Sequence, residues 1–226
     1  MFVSLSYVLS EDTQVLLTNP KVKFEPLMRM ANGDMTNVTM LHLFSHHGTH
    51  MDAPWHWNPA GKTIDQLGFE HFIFDKPKLA DVRNRPNYPI DRSDIEPLFS
   101  KNDDTDLLMV LSGISLLRES KPEEYTQRFP YFTIEAAKFL VDETKVKAVA
   151  MDFGAVDSPK DMMENGKAPV HDILLGTNNP TIRTMALVEE ANLLPIVGKK
   201  VKRVYAIPLV LKGLDASPVN MFAEVE

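Results

Sequence analysis

The chain has 226 residues, 44% hydrophobic and 24% charged, which is room for one substantial core and the ordinary balance of a folded protein. A formal charge of -7 offers no basic patch to release counterions from a phosphate backbone, which argues against nucleic acid as a partner. With no cysteine, disulfides, thiolate ligands and thiol nucleophiles are excluded, so a transition metal must be held by nitrogen and oxygen. No composition shift marks a second domain, and one domain over residues 1–226 is expected. The opening residues lack a basic n-region, and no apolar run approaches the roughly 20 residues that cross a bilayer. A cytoplasmic protein without a membrane partner is the expectation.

Residues 2–9 alternate and are rich in β-formers, which predicts a first strand closed by Ser10, Glu11 and Asp12. Residues 11–35 read as irregular, with turn signals at Asn19-Pro20, Pro26 and Asn32-Gly33. Residues 37–44 alternate again, with Val38, Met40 and His42 on one face. This strand delivers the chain into its densest histidine stretch. Beyond that stretch, residues 58–61 read as a turn and 63–69 as a short helix or loop. Residues 72–82 and 106–114 look like buried strands, separated by a proline-rich connection and a short helix opened by Asp91 or Ser93. Thr133 is placed to cap a helix over 134–143 with Ile134, Ala137 and Val141 as its buried stripe. Residues 146–151 then read as a strand. Strand, helix, strand implies a crossover unit and a partly parallel sheet. Residues 155–180 read as loop and carry His171, while 185–191 could be strand or helix. Residues 204–211 read as a strand whose Pro208 points to an edge or bulge, and 219–225 as another. The expected class is α/β, strand-rich, with a mixed sheet.

Residues 41–57 hold five of the seven histidines. Within them His46, His50, Asp52 and His56 form His-x3-His-x-Asp-x3-His, side chains that bind a borderline cation such as zinc or manganese. One straight strand would separate His46 from His50 by roughly 13 Å. A helix would bring them together, yet Gly48 and Pro54 sit badly in a helix interior. A bend at Gly48, which can take backbone angles closed to other residues, folds His46 back towards His50 and keeps Asp52 on the side of His50. Three ligands with open positions is the arrangement of a catalytic metal site, and His56, beyond Pro54, is placed to face a bound water. His42, His47 and His71 read as ordinary. Phe44, Trp55, Trp57, Phe69 and Phe72 read first as core, with Phe44, Trp55 and Trp57 the candidates for lining an apolar substrate pocket.

These residues resemble a known family, the cyclase family of metal-dependent hydrolases, which includes bacterial kynurenine formamidases and isatin hydrolases. His46, Gly48, Thr49, His50, Asp52, Pro54 and His56 match its signature His-x-Gly-Thr-His-x-Asp-x-Pro-x-His. Ser4-Leu5-Ser6, the segment from Asp152 to Ser158 followed by His171, and Ser217-Pro218-Val219 resemble further family segments, although Tyr7 stands where the family has histidine. The resemblance implies His46, His50 and Asp52 as metal ligands, His56 as the catalytic histidine, and His171 with Glu189 as ligands completing a second metal position. Glu190 is the adjacent alternative to Glu189. It also implies a compact single-domain β/β/α, swivelling-domain-like fold, and assembly as a homodimer or homotetramer.

A divalent metal lowers the pKa of bound water from about 15.7 to about 7 and polarises a carbonyl. The expected reaction, its substrate supplied by the resemblance, is hydrolysis of a small amide, foremost an aryl formamide such as N-formylkynurenine, by a metal-bound hydroxide with His56 as general acid/base and one or two ions per chain, Zn or Mn. The alternatives are a one-metal hydrolase of an isatin-like lactam and a non-catalytic metal-binding or interaction protein. A serine hydrolase lacks support, since no Gly-x-Ser-x-Gly elbow occurs.

Overall fold

A computed structural model of the chain describes residues 1–16, 19–83, 89–176 and 185–226. Its strands in chain order are β1 (Phe2–Ser4), β2 (Lys23–Met28), β3 (Val38–His42), β4 (His50–Asp52), β5 (Ile73–Phe74), β6 (Pro77–Asp81), β7 (Leu107–Leu111), β8 (Ala148–Met151), β9 (Ala186–Glu189), β10 (Val201–Pro208) and β11 (Ala216–Val225). The helices are α1 (Arg92–Ile95), α2 (Pro122–Gln127), α3 (Ile134–Glu143), α4 (Pro159–Asn165) and α5 (Pro169–Leu174). Nine strands form one sheet in the order β5-β10-β11-β4-β9-β8-β7-β6, with β1 added on β11. The run β6-β7-β8-β9 is parallel and the remainder antiparallel, so the sheet is mixed, as expected.

Both faces of the parallel half are buried, which is why its strands read as unbroken apolar runs. Along β7, Leu108 and Val110 enter the core packed under α1 and α3, while Leu107, Met109 and Leu111 enter a second core. That second core also takes Phe74 of β5, Val204 and Ala206 of β10, and Met221 and Ala223 of β11. The two halves of the sheet therefore curl around the same apolar cluster, and β10 comes close to β6. The crossover from β7 through α3 to β8 is present, and Thr133 caps α3 by accepting from Ala136 N–H at 3.1 Å.

Several expectations are corrected. The first strand stops at Ser4, although Leu5 N–H still donates to Met221 O. The segment read as irregular contains β2, which pairs with β3 in a separate two-stranded arm whose residues are mostly exposed. The apolar run 72–82 splits into β5 and β6, because Asp106 takes the Asp75 and Lys76 N–H groups in its carboxylate and turns the chain between them. Ile134 is exposed, and the stripe of α3 is Ala136, Ala137, Leu140 and Val141. The loop read over 155–180 contains α4 and α5. Each opens on a proline at its first turn, where the missing N–H costs nothing. Pro208 ends β10, and the bulge lies instead between Val201 and Arg203. The proline-rich connection falls on 84–88 and the last part of the 155–180 reading on 177–180, which lie outside the described residues. Among the described residues no helix is long and apolar enough to cross a membrane.

Candidate metal centre

The histidine stretch leaves the arm at His42 and bends at Gly48, whose φ of 58° is in the left-handed region. The bend brings the His46 and His50 rings to 4.9 Å between centroids and His46 Nδ1 to 3.0 Å from Asp52 Oδ1. From there the chain enters β4, held between β9 and β11 with His50 opposite Glu189 and Asp52 opposite Ala216. Alternation puts His50 and Asp52 on one face of the sheet, and the register sets Glu189 beside them. His50 Nε2 lies 3.4 Å from Asp52 Oδ1 and 3.5 Å from Glu189 Oε2, while its other nitrogen donates to Gly48 O at 2.8 Å.

His56 follows in a 3-10 turn that starts at Pro54, and its ring lies 4.4 Å from that of His46 and 5.9 Å from that of His171. His171 comes from α5. Asp157 accepts from the N–H groups of Val170 and His171 and, at 2.6 Å, from His171 Nδ1, which leaves His171 Nε2 for the cluster. Ligand-type atoms of His46, His50 and Asp52 converge, as do those of Asp52, His56 and His171, so Asp52 is common to two trios. A third trio adds a residue the sequence reading missed, Asp215 with His46 and His56.

The electrostatics fit a site for a cation. Burial by itself would lower the pKa of His50, but Asp52 and Glu189 outweigh it and hold the imidazole well above its usual range. His46 is likewise pushed up to about 9, its burial overcome by Asp215 and Asp52. Asp52, although buried, is held well below the carboxylate range by His56, His50 and His46. The carboxylates demand positive charge, which a divalent cation supplies. His50 Nε2, Asp52 Oδ2 and Glu189 Oε1 are buried without a hydrogen-bond partner, and Asp52 Oδ1 has only its 3.0 Å contact with His46 Nδ1 and the longer one to His50, a cost that native interiors avoid unless something else binds there. The nitrogen and oxygen donors suit a borderline cation such as zinc or manganese.

Glu190 makes none of the close contacts with His50 that Glu189 makes. Its φ is 53°, Thr49 Oγ1 donates to its carbonyl at 2.7 Å, and burial pushes its carboxyl up to about 7 against the opposing pull of His50 and Arg118. Of the aromatic candidates, the Phe44 ring lies 5.3 Å from His46 and the Trp57 ring 5.2 Å from His171, with Trp57 Nε1 donating to Asp172. Trp55 is 42% exposed and, among the described residues, joins none of the ring contacts around the cluster. His47 has a structural place: its Nδ1 accepts from Phe44 N–H and its Nε2 donates to Pro20 O. His42 pairs with Glu25 on the arm.

The Cyclase family model matches residues 3–158. A kynurenine formamidase of Bacillus anthracis is 23% identical over 219 residues, 97% of this chain and 95% of that protein. Cyclase-like protein 3 of Oryza sativa subsp. japonica is 30% identical over 196 residues, 84% of this chain and 67% of the relative, so the chain spans about two thirds of that length. Isatin hydrolase A from Ralstonia solanacearum superposes with a TM-score of 0.80 at 22% identity, covering 100% of this chain and 92% of that one.

Proposed function

Because the chain belongs to the Cyclase family, we propose that it is a metal-dependent hydrolase of a small amide, with an aryl formamide such as N-formylkynurenine as the leading substrate. The observation that carries the reading is the set of buried, unpartnered atoms on His50, Asp52 and Glu189. His46, His50 and Asp52 would hold one divalent cation, zinc or manganese, and Asp52, His171 and Glu189 a second. A cation bound there supplies a Lewis acid for the substrate carbonyl and an acidified water.

The chain's own residues do the rest. His56 donates through Nδ1 to Asp215, which leaves Nε2 to take a proton from the nucleophile and return it to the leaving nitrogen. Phe44 and Trp57, set against His46 and His171, offer flat apolar surface for an aryl group. The Bacillus relative supports the formamide as substrate. A lactam of the isatin type is the second reading, because a protein of the same fold is an isatin hydrolase. The chain would work as a homodimer or homotetramer, in which a second copy covers Leu27, Met30, Met40 and Leu41 on the arm.

The test is the His56→Ala variant, assayed with formamides, lactams and esters after loading with zinc or manganese. Bound metal should be retained while turnover falls about 100-fold to 10,000-fold. A metal-loaded wild type inert to the whole panel would leave only a metal-binding protein.

A further inference from the structure

We propose that Asp215 is a positioning residue that sets the ring tautomers of both His46 and His56, joining the cation-holding imidazole to the acid/base imidazole through one carboxylate oxygen. The inference rests on the hydrolase reading above for the roles of the two rings. Its own basis is geometric. Asp215 Oδ2 accepts from His46 Nε2 at 2.8 Å and from His56 Nδ1 at 3.1 Å. Among the described residues no other carboxylate hydrogen-bonds either of these nitrogens.

The fold delivers this carboxylate firmly. Gly213 N–H donates to Asp65 at 2.8 Å, and Leu214 O accepts from Ile64 N–H at 3.0 Å. Asp215 O then accepts from Ala53 N–H at 2.8 Å, immediately before Ala216 pairs with Asp52. The main chain of Asp215 is thus fixed to the segment that carries the ligand strand and the turn to His56. With 31% of its side chain exposed, the carboxylate lies at the mouth of the cluster.

A neutral imidazole carries one N–H, and whichever nitrogen donates outward leaves the other as the acceptor. Donation from His46 Nε2 turns Nδ1, 3.0 Å from Asp52 Oδ1, into the nitrogen available to a cation. Donation from His56 Nδ1 leaves Nε2 as the base. When the proton of the nucleophilic water moves to His56 Nε2, the ring becomes an imidazolium with Asp215 against its Nδ1–H, and the proton then passes to the leaving nitrogen. Asp215 stays ionised throughout and stabilises the charge that appears on His56.

The D215N and D215E variants test this with two readouts that need no substrate. Nitrogen-15 spectra of the metal-free protein, at a pH where His56 is neutral, should show His56 protonated at Nδ1 in the wild type and displaced towards Nε2 protonation in D215N. Cobalt titration should give the same ions per chain in D215N with affinity about 10-fold to 100-fold weaker. At saturating metal, kcat of D215N should fall about 100-fold or more with KM changed less than about threefold, and D215E should recover part of kcat. An unchanged His56 tautomer in D215N overturns the proposal. So does loss of a whole equivalent of cobalt, which would make Asp215 a ligand. A wild type inert to every amide sinks the hydrolase reading, while spectra and cobalt still judge Asp215; an active wild type matched by an equally active D215N sinks the role of Asp215 alone.

Discussion

Gly48→Ala perturbs the bend on which the centre depends. Gly48 has φ 58°, and an added Cβ would lie 2.6 Å from Leu9 Cδ2. The atom it meets is the end of a half-buried side chain that can rotate away, so the backbone term dominates. Holding an L-residue in the left-handed region costs about 1–2 kcal/mol, which lowers Tm by roughly 2–8 °C in a protein of this size. A chain that relaxes from this conformation instead moves His46 away from Asp52, where Nδ1 and Oδ1 are now 3.0 Å apart. Metal affinity should then fall by about 10-fold or more. Gly33→Ala is the control: Gly33 has φ 92°, has open space around its Cβ position, and lies on the arm away from the histidines. Thermal unfolding followed by circular dichroism, paired with zinc titration, separates the two effects. Both variants should lose stability, but only Gly48→Ala should lose metal affinity; if it binds zinc as tightly as Gly33→Ala, the bend does not organise the site.

Other consequences are open to direct measurement. His46 has a folded pKa of about 9 against its ordinary 6.5, so in the metal-free protein its charge stabilises the fold fully below 6.5 and this contribution is lost as pH rises through 9. A cation must displace that proton, so metal affinity should rise across the same window, with proton release visible by calorimetry in buffers of different ionisation enthalpy. Affinity independent of pH there would mean that His46 is not a ligand. Glu189→Gln should reduce bound metal per chain as read by elemental analysis, whereas Glu190→Gln should leave it unchanged, because it is the Glu189 carboxylate that lies 3.5 Å from His50 Nε2. Trp57→Ala should raise KM for an aryl substrate while metal content stays constant; unchanged KM would remove Trp57 from the pocket.

The site was legible where its residues are local in sequence. His46, His50, Asp52 and His56 span eleven positions punctuated by Gly48 and Pro54, and a bend there could be argued from backbone geometry alone. Glu189 could be reached only through the family resemblance, because its place beside His50 comes from strand pairing across 139 residues. The roles of Asp157 and Asp215 escaped for the same reason: each is one aspartate among many until the fold sets it against a histidine, α5 bringing His171 to Asp157 and the entry to β11 bringing Asp215 to His46 and His56. In the fold, the crossover through α3 showed itself by a capping threonine and an apolar stripe. Of the β2–β3 arm, β3 showed itself in the alternation over residues 37–44, but β2 did not, since Pro26 imitates a turn and the strand has no buried face. Helices α4 and α5 were hidden by their opening prolines, which read as breakers inside a segment but serve as good first residues.

The most direct test is hydrolysis of N-formylkynurenine and a cyclic amide by the purified protein before and after chelation. Turnover should disappear when the metal is removed and return when zinc or manganese is added back. Turnover that survives complete removal of the metal, or its absence from every amide in the fully loaded protein, would contradict the account.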